Sequence, residues 1–236
     1  MSEAAQIARV ALRRKPVADR GWRPYPTYRD SGIEWLGQVP AEWLVRRLKY
    51  LGTLVVEPAI GPALDLPFLG LENIESWMGR LGSGASVDGE AEGDGGIVFQ
   101  AGDLLFSKLR PYLAKAIAPT ERGRCTSELL VLRPRLLVPR FALYVMLSRG
   151  FIETVHGSTF GTKMPRANWD FIGNMWLPYP DVVEQRVIAA FLDRETARID
   201  ALVAKIEQHI ALLREHREAL VTAAVTGEID VREEAA

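Results

Sequence analysis

Two short segments hold the side chains of this chain best suited to a chemical task. FSKLRPYLAK places Ser107, Lys108, Arg110, Tyr112 and Lys115 close together. GSTFGTKMPRANW places Ser158, Thr159, Gly161, Thr162, Lys163, Arg166 and Asn168 close together. Cationic, hydroxyl and amide donors beside glycine and an aromatic ring suit phosphate oxygens and base edges. The glycines would let a backbone approach a ligand closely. Arg166 has the fork that pairs with guanine, and Asn168 the amide that pairs with adenine. Either could equally bind a phosphate or cap a turn. The plainer alternatives are a solvated strand edge with Tyr112 packed inward, and a connecting loop whose polar groups face water.

Catalytic patterns are absent from the sequence. It has no G-x-x-x-x-G-K-[ST] loop and no G-x-G-x-x-G after a strand. His156 stands two residues from Ser158, a spacing without geometric meaning for a nucleophile and its base. No acid partner or oxyanion motif accompanies them, so a hydrolase is the weakest reading. His209 and His216 are one heptad apart, in register with Leu202. They could bind a metal across a dimer, but polar residues in a helical seam more simply set register. The single cysteine, Cys125, lies in the apolar run CTSELLVL and reads as a buried small residue. One cysteine excludes an internal disulfide and fits a reducing compartment.

The elements that would position these residues divide the chain in two. From Glu184 to Val225 there is neither proline nor glycine. Leu192, Ile199, Ile206, Leu213 and Leu220 recur every seven residues, with Ile188, Leu202 and Ala223 at the companion position. That pattern predicts a coiled-coil helix of roughly 60 Å whose apolar stripe requires a partner. Ahead of it, Val45–Val56 reads as a strand or short helix. IVF and DLLF read as strands joined by the Gln100-Ala101-Gly102 turn. AKAIAP and SELLVLRP read as further strands, the latter ended by Pro134. FALYVMLSRGFIETVHG has helical spacing and should form one helix stopped by Gly157. Pro178 and Pro180 close the body, and Asp181 is the expected cap of the long helix. The fold class expected is an α/β (α+β) domain over residues 25–180 followed by one long C-terminal coiled-coil helix over 181–227. A flexible lead-in over 1–24 and a tail over 228–236 complete the layout.

Charge is segregated along the chain. Lys+Arg against Asp+Glu is 10 to 5 over residues 1–56, 1 to 8 over 57–100, 11 to 4 over 101–166 and 7 to 13 over 167–236. A net charge of -1 therefore hides basic blocks that could face phosphate. The glycine-rich acidic stretch GRLGSGASVDGEAEGDGG should stay off the phosphates, as a solvated loop or exposed hairpin. No apolar run approaches the roughly 18 residues of a membrane span, and the N-terminus lacks a secretory pattern. A cytoplasmic, nucleoid-associated protein without membrane partners is expected.

Longer phrases carry more information. DSGIEWLGQVPAEWLVRRLKYLG, GDLLFSKLRPYLAKA, CTSELLVLRP, GTKMPRANWDFI and the run from LPYPDVVEQ to GEIDVR resemble, in order, the specificity (S) subunit of type I restriction-modification systems. The resemblance covers about Tyr25 to Arg232. It implies a non-catalytic DNA reader, with a target-recognition domain docked on a half-site in the major groove. It also implies long helices that space two such domains and hold methyltransferase (M) subunits, with restriction/motor (R) subunits joining for cleavage. No cofactor is expected on this chain; S-adenosylmethionine, ATP and Mg belong on the partner subunits. The resemblance places the two polar segments above among the DNA-binding candidates.

One departure from the family pattern matters. The family commonly carries two recognition domains and two spacer helices, and here there is one of each. The opening phrase resembles the start of a full-length subunit and AVTGEIDVR its end, so a half-length form is expected. Its uncovered stripe, Ile188, Leu192, Ile199, Leu202, Ile206, Leu213 and Leu220, then calls for a homodimer. An antiparallel pair centred near Ile206 would bring Glu195 near Arg217 and Arg194 near Glu218, although Arg198 would face Arg214. Such a dimer predicts a bipartite, inverted-repeat target on double-stranded DNA. The competing readings are a stand-alone dimeric DNA-binding regulator and a scaffold that binds the methyltransferase without DNA.

Overall fold

The computed structural model describes residues 23–82, 95–160 and 164–231. The lead-in, most of the acidic glycine-rich stretch, and Gly161, Thr162 and Lys163 lie outside the described residues. The chain forms two units, one ending at Arg186 and one beginning at Val187.

Among the described residues the first unit carries four small sheets. A hairpin pairs β1 (Tyr28–Asp30) with β2 (Gln38–Pro40). Strand β3 (Leu44–Arg47) pairs antiparallel with β11 (Trp176–Tyr179), joining the two ends of this unit. The main sheet is antiparallel, in the order β4 (Gly52–Val55), β10 (Leu129–Pro134), β7 (Leu104–Ser107), β8 (Ala116–Ile117). The fourth sheet places β9 (Gly123–Cys125) between β5 (Phe68–Leu69), parallel to it, and β6 (Ile97–Phe99), antiparallel.

The apolar runs occupy the centre because both their faces are covered. All four residues of β7 and the first four of β10 are buried. A strand buried on both faces reads as a continuous apolar run rather than an alternation. On one face, Leu105, Leu129 and Val131 join Leu69, Phe99 and Cys125 in a single core cluster. On the other, Phe106 meets Phe151 edge-on at 5.7 Å, and Phe151 meets Trp35 at 6.1 Å. A bidentate ion pair ties the ends of the two central strands, β7 and β10. Arg133 donates from Nε and Nη2 to the buried Asp103 carboxylate, both at 2.8 Å. That hydrogen-bonded carboxylate pushes the guanidinium above its usual range.

One sequence expectation holds and one needs correction. IVF and DLLF are both strands joined by a turn, as read from the sequence, and they belong to different sheets, β6 with β9 and β7 with β10. The turn between them passes the chain from one sheet to another. The expected single helix is two, α1 (Pro139–Leu147) and α2 (Arg149–Gly157), because Ser148 is extended at ψ 144. The break lets Gly150 approach Trp35, where a Cβ would lie 3.0 Å from Cε3. A further short helix, α3 (Trp169–Asn174), precedes β11.

Helix α4 (Val182–Val225) begins within the first unit. Asp181 caps it as expected, its Oδ1 accepting from the Glu184 amide at 2.9 Å. Glu184 Oε1 in turn accepts from the Tyr25 hydroxyl at 2.7 Å and Trp43 Nε1 at 3.2 Å. Burial, followed by this carboxylate, pushes the Tyr25 phenol above its usual range. Gln185 is buried and its amide fully used. It accepts from the Val138 amide at 2.7 Å and donates to the Leu136 and Pro180 carbonyls at 3.1 and 3.0 Å. From Val187 on, α4 is the second unit. Ile199, Leu202, Ile206, Leu213 and Leu220 are all at least half exposed on it. Past its end, Gly227 at φ 76 lets the Glu228 amide reach the Ala223 carbonyl at 2.9 Å. Among the described residues no helix is long and apolar enough to cross a membrane.

Two outcomes follow from this packing. Gln185→Ala strands one buried N–H and two carbonyls and should cost about 2–4 kcal/mol in chemical denaturation; a change within error would show that water replaces the amide. Burial pushes the Cys125 thiol up to about 12 from an ordinary value of 9.0. The unfolded thiol then ionises first, so its contribution is intact below about pH 9 and lost as pH rises toward 12. Urea midpoints across that range should fall more steeply for the parent than for Cys125→Ala.

Candidate nucleic-acid interface

The two polar segments of the sequence are joined by backbone pairing. The Arg110 amide donates to the Pro165 carbonyl at 2.9 Å, and the Ala167 amide to the Lys108 carbonyl at 3.0 Å. Arg166 faces Leu109 across this pair. On its other side Arg166 exchanges backbone hydrogen bonds with Phe160, at 3.2 and 3.3 Å. A short ladder results, in the order Leu109, Arg166, Phe160. Directly opposed residues of antiparallel strands carry their side chains on one face. Arg166 is therefore the middle of a three-residue row.

Arg166 is held by an acid. Its Nη2 lies 2.6 Å from Glu128 Oε1. Glu128 is placed by the chain itself, since its carbonyl accepts from the Lys108 amide at 2.9 Å. Lys108, Glu128, Arg166 and Asn168 border a cleft of about 420 Å³ whose apolar wall includes Val55, Ile97, Leu129 and Val131. Donors, an acceptor and an apolar wall in one place can bind an anionic polymer and touch its bases.

The other expected residues divide by what their side chains already do. Ser107 is buried, and its hydroxyl donates to the Leu109 carbonyl at 2.8 Å. Lys115 donates to the Leu71 carbonyl at 2.5 Å. These two side chains are engaged within the scaffold. Ser158 and Thr159 donate to the Val155 and His156 carbonyls, both at 2.7 Å, closing the end of α2. Ser158 is thereby engaged away from His156, whose ring meets Tyr112 edge-on at 5.3 Å. Asn168 caps α3, its Oδ1 accepting from the Phe171 amide at 2.8 Å. Its carboxamide oxygen is thus committed, so the bidentate adenine contact would require breaking the cap. Arg110 and Tyr112 are exposed. Gly161, Thr162 and Lys163 lie outside the described residues. No group of three or more His, Cys, Asp or Glu able to hold a metal ion occurs among the described residues.

Sequence reading missed Glu128, Leu109 and Phe160. Nothing local links Glu128 to Arg166, whereas an aromatic inside the polar loop GSTFG was a usable signal. It also missed a concentration of backbone strain. Trp77, Arg110 and Ala114 are the described non-glycine residues with positive φ, at 69, 48 and 48°. They surround one 3-10 turn, Pro111–Leu113. Arg110 and Ala114 flank it, and the Trp77 amide donates to the Ala114 carbonyl at 3.1 Å. Such residues persist only where their surroundings over-determine them. Here the bond from Arg110 to Pro165 is one such constraint.

The fold is shared with specificity subunits of type I restriction-modification systems. The HsdS subunit from Thermoanaerobacter tengcongensis superposes with a TM-score of 0.54 at 19% identity, over 80% of this chain and 50% of that one. A chain of a type I R-M system, described for its complex assembly and conformational transition, gives 0.61 at 19%, over 84% and 48%. In sequence the chain is a homologue of the same subunits. It is 22% identical over 197 residues to the Escherichia coli type I restriction enzyme EcoDI specificity subunit, covering 82% of this chain and 44% of that protein. It is 30% identical over 80 residues to the Escherichia coli EcoBI specificity subunit, covering 34% and 17%. The chain thus spans less than half the length of the EcoDI subunit. No family model matches it.

The strained turn has a direct test. Arg110→Gly removes the left-handed penalty and should raise stability by about 1 kcal/mol in urea unfolding. A loss of stability would mean that the arginine side chain, rather than the surrounding bonds, maintains the turn.

Proposed function

We propose that this chain is the DNA sequence-specificity subunit of a type I restriction-modification complex, without catalytic activity of its own. The body over about 25–180 is its target-recognition domain and reads one half-site. The observation that carries this reading is the joining of Lys108–Arg110 to Pro165–Ala167 in a chain homologous to specificity subunits. Lys108, Arg110, Tyr112, Arg166 and Asn168 form the described part of the contact set, and Lys163 extends it. Ser158, Thr159, Gly161 and Thr162 contribute by backbone or remaining lone pairs.

The second element of the function is spacing. A 44-residue α4 is about 66 Å long at 1.5 Å per residue. Its heptad residues are 50 to 68% exposed at Ile199, Leu202, Ile206, Leu213 and Leu220. A stripe of that extent is stable in water when a second helix covers it. We take the second helix to be that of another copy, antiparallel and centred near Ile206, with Ile188, Leu192 and Ala223 extending the seam. The dimer then carries two identical readers a fixed distance apart. It docks methyltransferase subunits and, through them, the motor-nuclease subunits; S-adenosylmethionine, ATP and Mg bind on those partner subunits.

The decisive experiment is methylome sequencing of cells expressing this chain with its methyltransferase partner. The expected motif is an inverted repeat with a spacer of constant length. A motif with unrelated halves would exclude the symmetric dimer, and no dependence of methylation on this chain would exclude the specificity role. In binding assays with the assembled complex, Arg110→Ala should weaken all duplexes alike and flatten the salt slope by about one unit.

A further inference from the structure

We infer that Phe160 reads a thymine, through its C5-methyl group, within two base steps of the base pair approached by Arg166. The inference rests on the DNA-reading function proposed above and adds a specificity-determining residue to it.

Three observations lead here. Phe160 is 76% exposed, more than any other exposed aromatic among the described residues. Met164, four residues on, is 56% exposed. Lone apolar side chains at a surface call for no explanation, but this one is fixed in place. The reciprocal hydrogen bonds between Phe160 and Arg166 make them a directly opposed pair, so both side chains project from the same face.

That shared face decides the groove. An arginine fork finds its two guanine acceptors, O6 and N7, in the major groove. A side chain on the same face must enter the same groove, and the apolar feature there is the thymine methyl. Opposed residues of a hydrogen-bonded pair sit about 5.5 Å apart. Successive base pairs are about 3.4 Å apart. The two side chains therefore reach positions one or two steps from each other.

Glu128 makes a base edge the better target for Arg166. Its carboxylate, 2.6 Å from Nη2, would repel a phosphate brought to the same guanidinium. It also fixes the fork from one side and leaves the other N–H groups to the groove. The row Leu109, Arg166, Phe160 then presents a cation flanked by apolar groups. A protein that only gripped phosphates would gain nothing from a phenyl ring there.

The test uses the complex assembled with its methyltransferase and duplexes carrying the mapped target. Each thymine is replaced singly by uracil, which deletes the C5-methyl group and leaves pairing intact. Each guanine is replaced singly by 7-deazaguanine. For the parent, one guanine substitution and one uracil substitution within two steps of it should each weaken binding. The uracil effect should be about 3- to 10-fold. Phe160→Ala should bind the thymine and uracil duplexes equally, and Phe160→Leu should recover part of the discrimination. Arg166→Ala should lose the sensitivity to 7-deazaguanine at the paired position.

Equal binding of all uracil duplexes by the parent would overturn the inference, as would a full uracil penalty in Phe160→Ala. A half-site without an A·T pair in the two-step window would do the same. Phe160-dependent unstacking, seen as a rise in 2-aminopurine fluorescence, would assign the ring as a wedge and also overturn it. In each of these cases the parent still binds its target, and the DNA-reading function stands. A parent complex that discriminates no sequence would remove both.

Discussion

A short antiparallel ladder holds the candidate interface together. Two hydrogen bonds join Lys108–Arg110 to Pro165–Ala167, and two more join Arg166 to Phe160. The first strand of that ladder continues directly from β7, the most deeply buried strand of the main sheet. The candidate contact residues are thus attached to a packed core rather than to a free loop. Rigid attachment matters because a side chain that reads a base must hold its geometry closely. The strain at Arg110 and Ala114 fits the same account, since a turn maintained against its own preference needs the surrounding bonds to over-determine it.

Charge and burial follow from that arrangement. Two acids of this unit are committed to arginines: Asp103 to Arg133 and Glu128 to Arg166. The first pair ties the ends of two central strands, β7 and β10, with its carboxylate buried. The second lies at an open cleft, where its arginine is still 59% exposed. The same chemical pair is therefore locked into the scaffold in one place and open to a ligand in the other, and burial separates the two settings. A second device anchors the start of α4. Asp181 caps the first turn, Glu184 and Gln185 bond different parts of the body, and Gln185 alone satisfies three buried backbone groups. A helix begun so firmly can leave its later heptads for a partner.

Much of the architecture was legible beforehand. The long helix was, because a seven-residue apolar repeat without proline or glycine has few other solutions. Its cap was, because Asp181 stands where a side-chain oxygen meets orphan amides. The strands β7 and β10 were, because continuous apolar runs bounded by turn residues mark buried strands. Sheet membership was not legible. Consecutive strands usually pair, yet β6 and β7 join different sheets. An unbroken helical period was read through Ser148, where packing of Gly150 against Trp35 accompanies a break.

The residue types by themselves determined the fold class, the helix and its stripe, and the two segments rich in DNA-contact chemistry. These depend on local period and composition, which the chain carries in its own order. Tertiary structure alone decided which of those polar groups were already engaged. It spent the hydroxyls of Ser107, Ser158 and Thr159 on carbonyls, tied Lys115 to Leu71 and turned Asn168 into a cap. It also brought Glu128 to Arg166 and set Phe160 beside it. A hydrogen bond is chosen by distance and direction in space, and residues 38 positions apart leave no trace of that choice in their spacing.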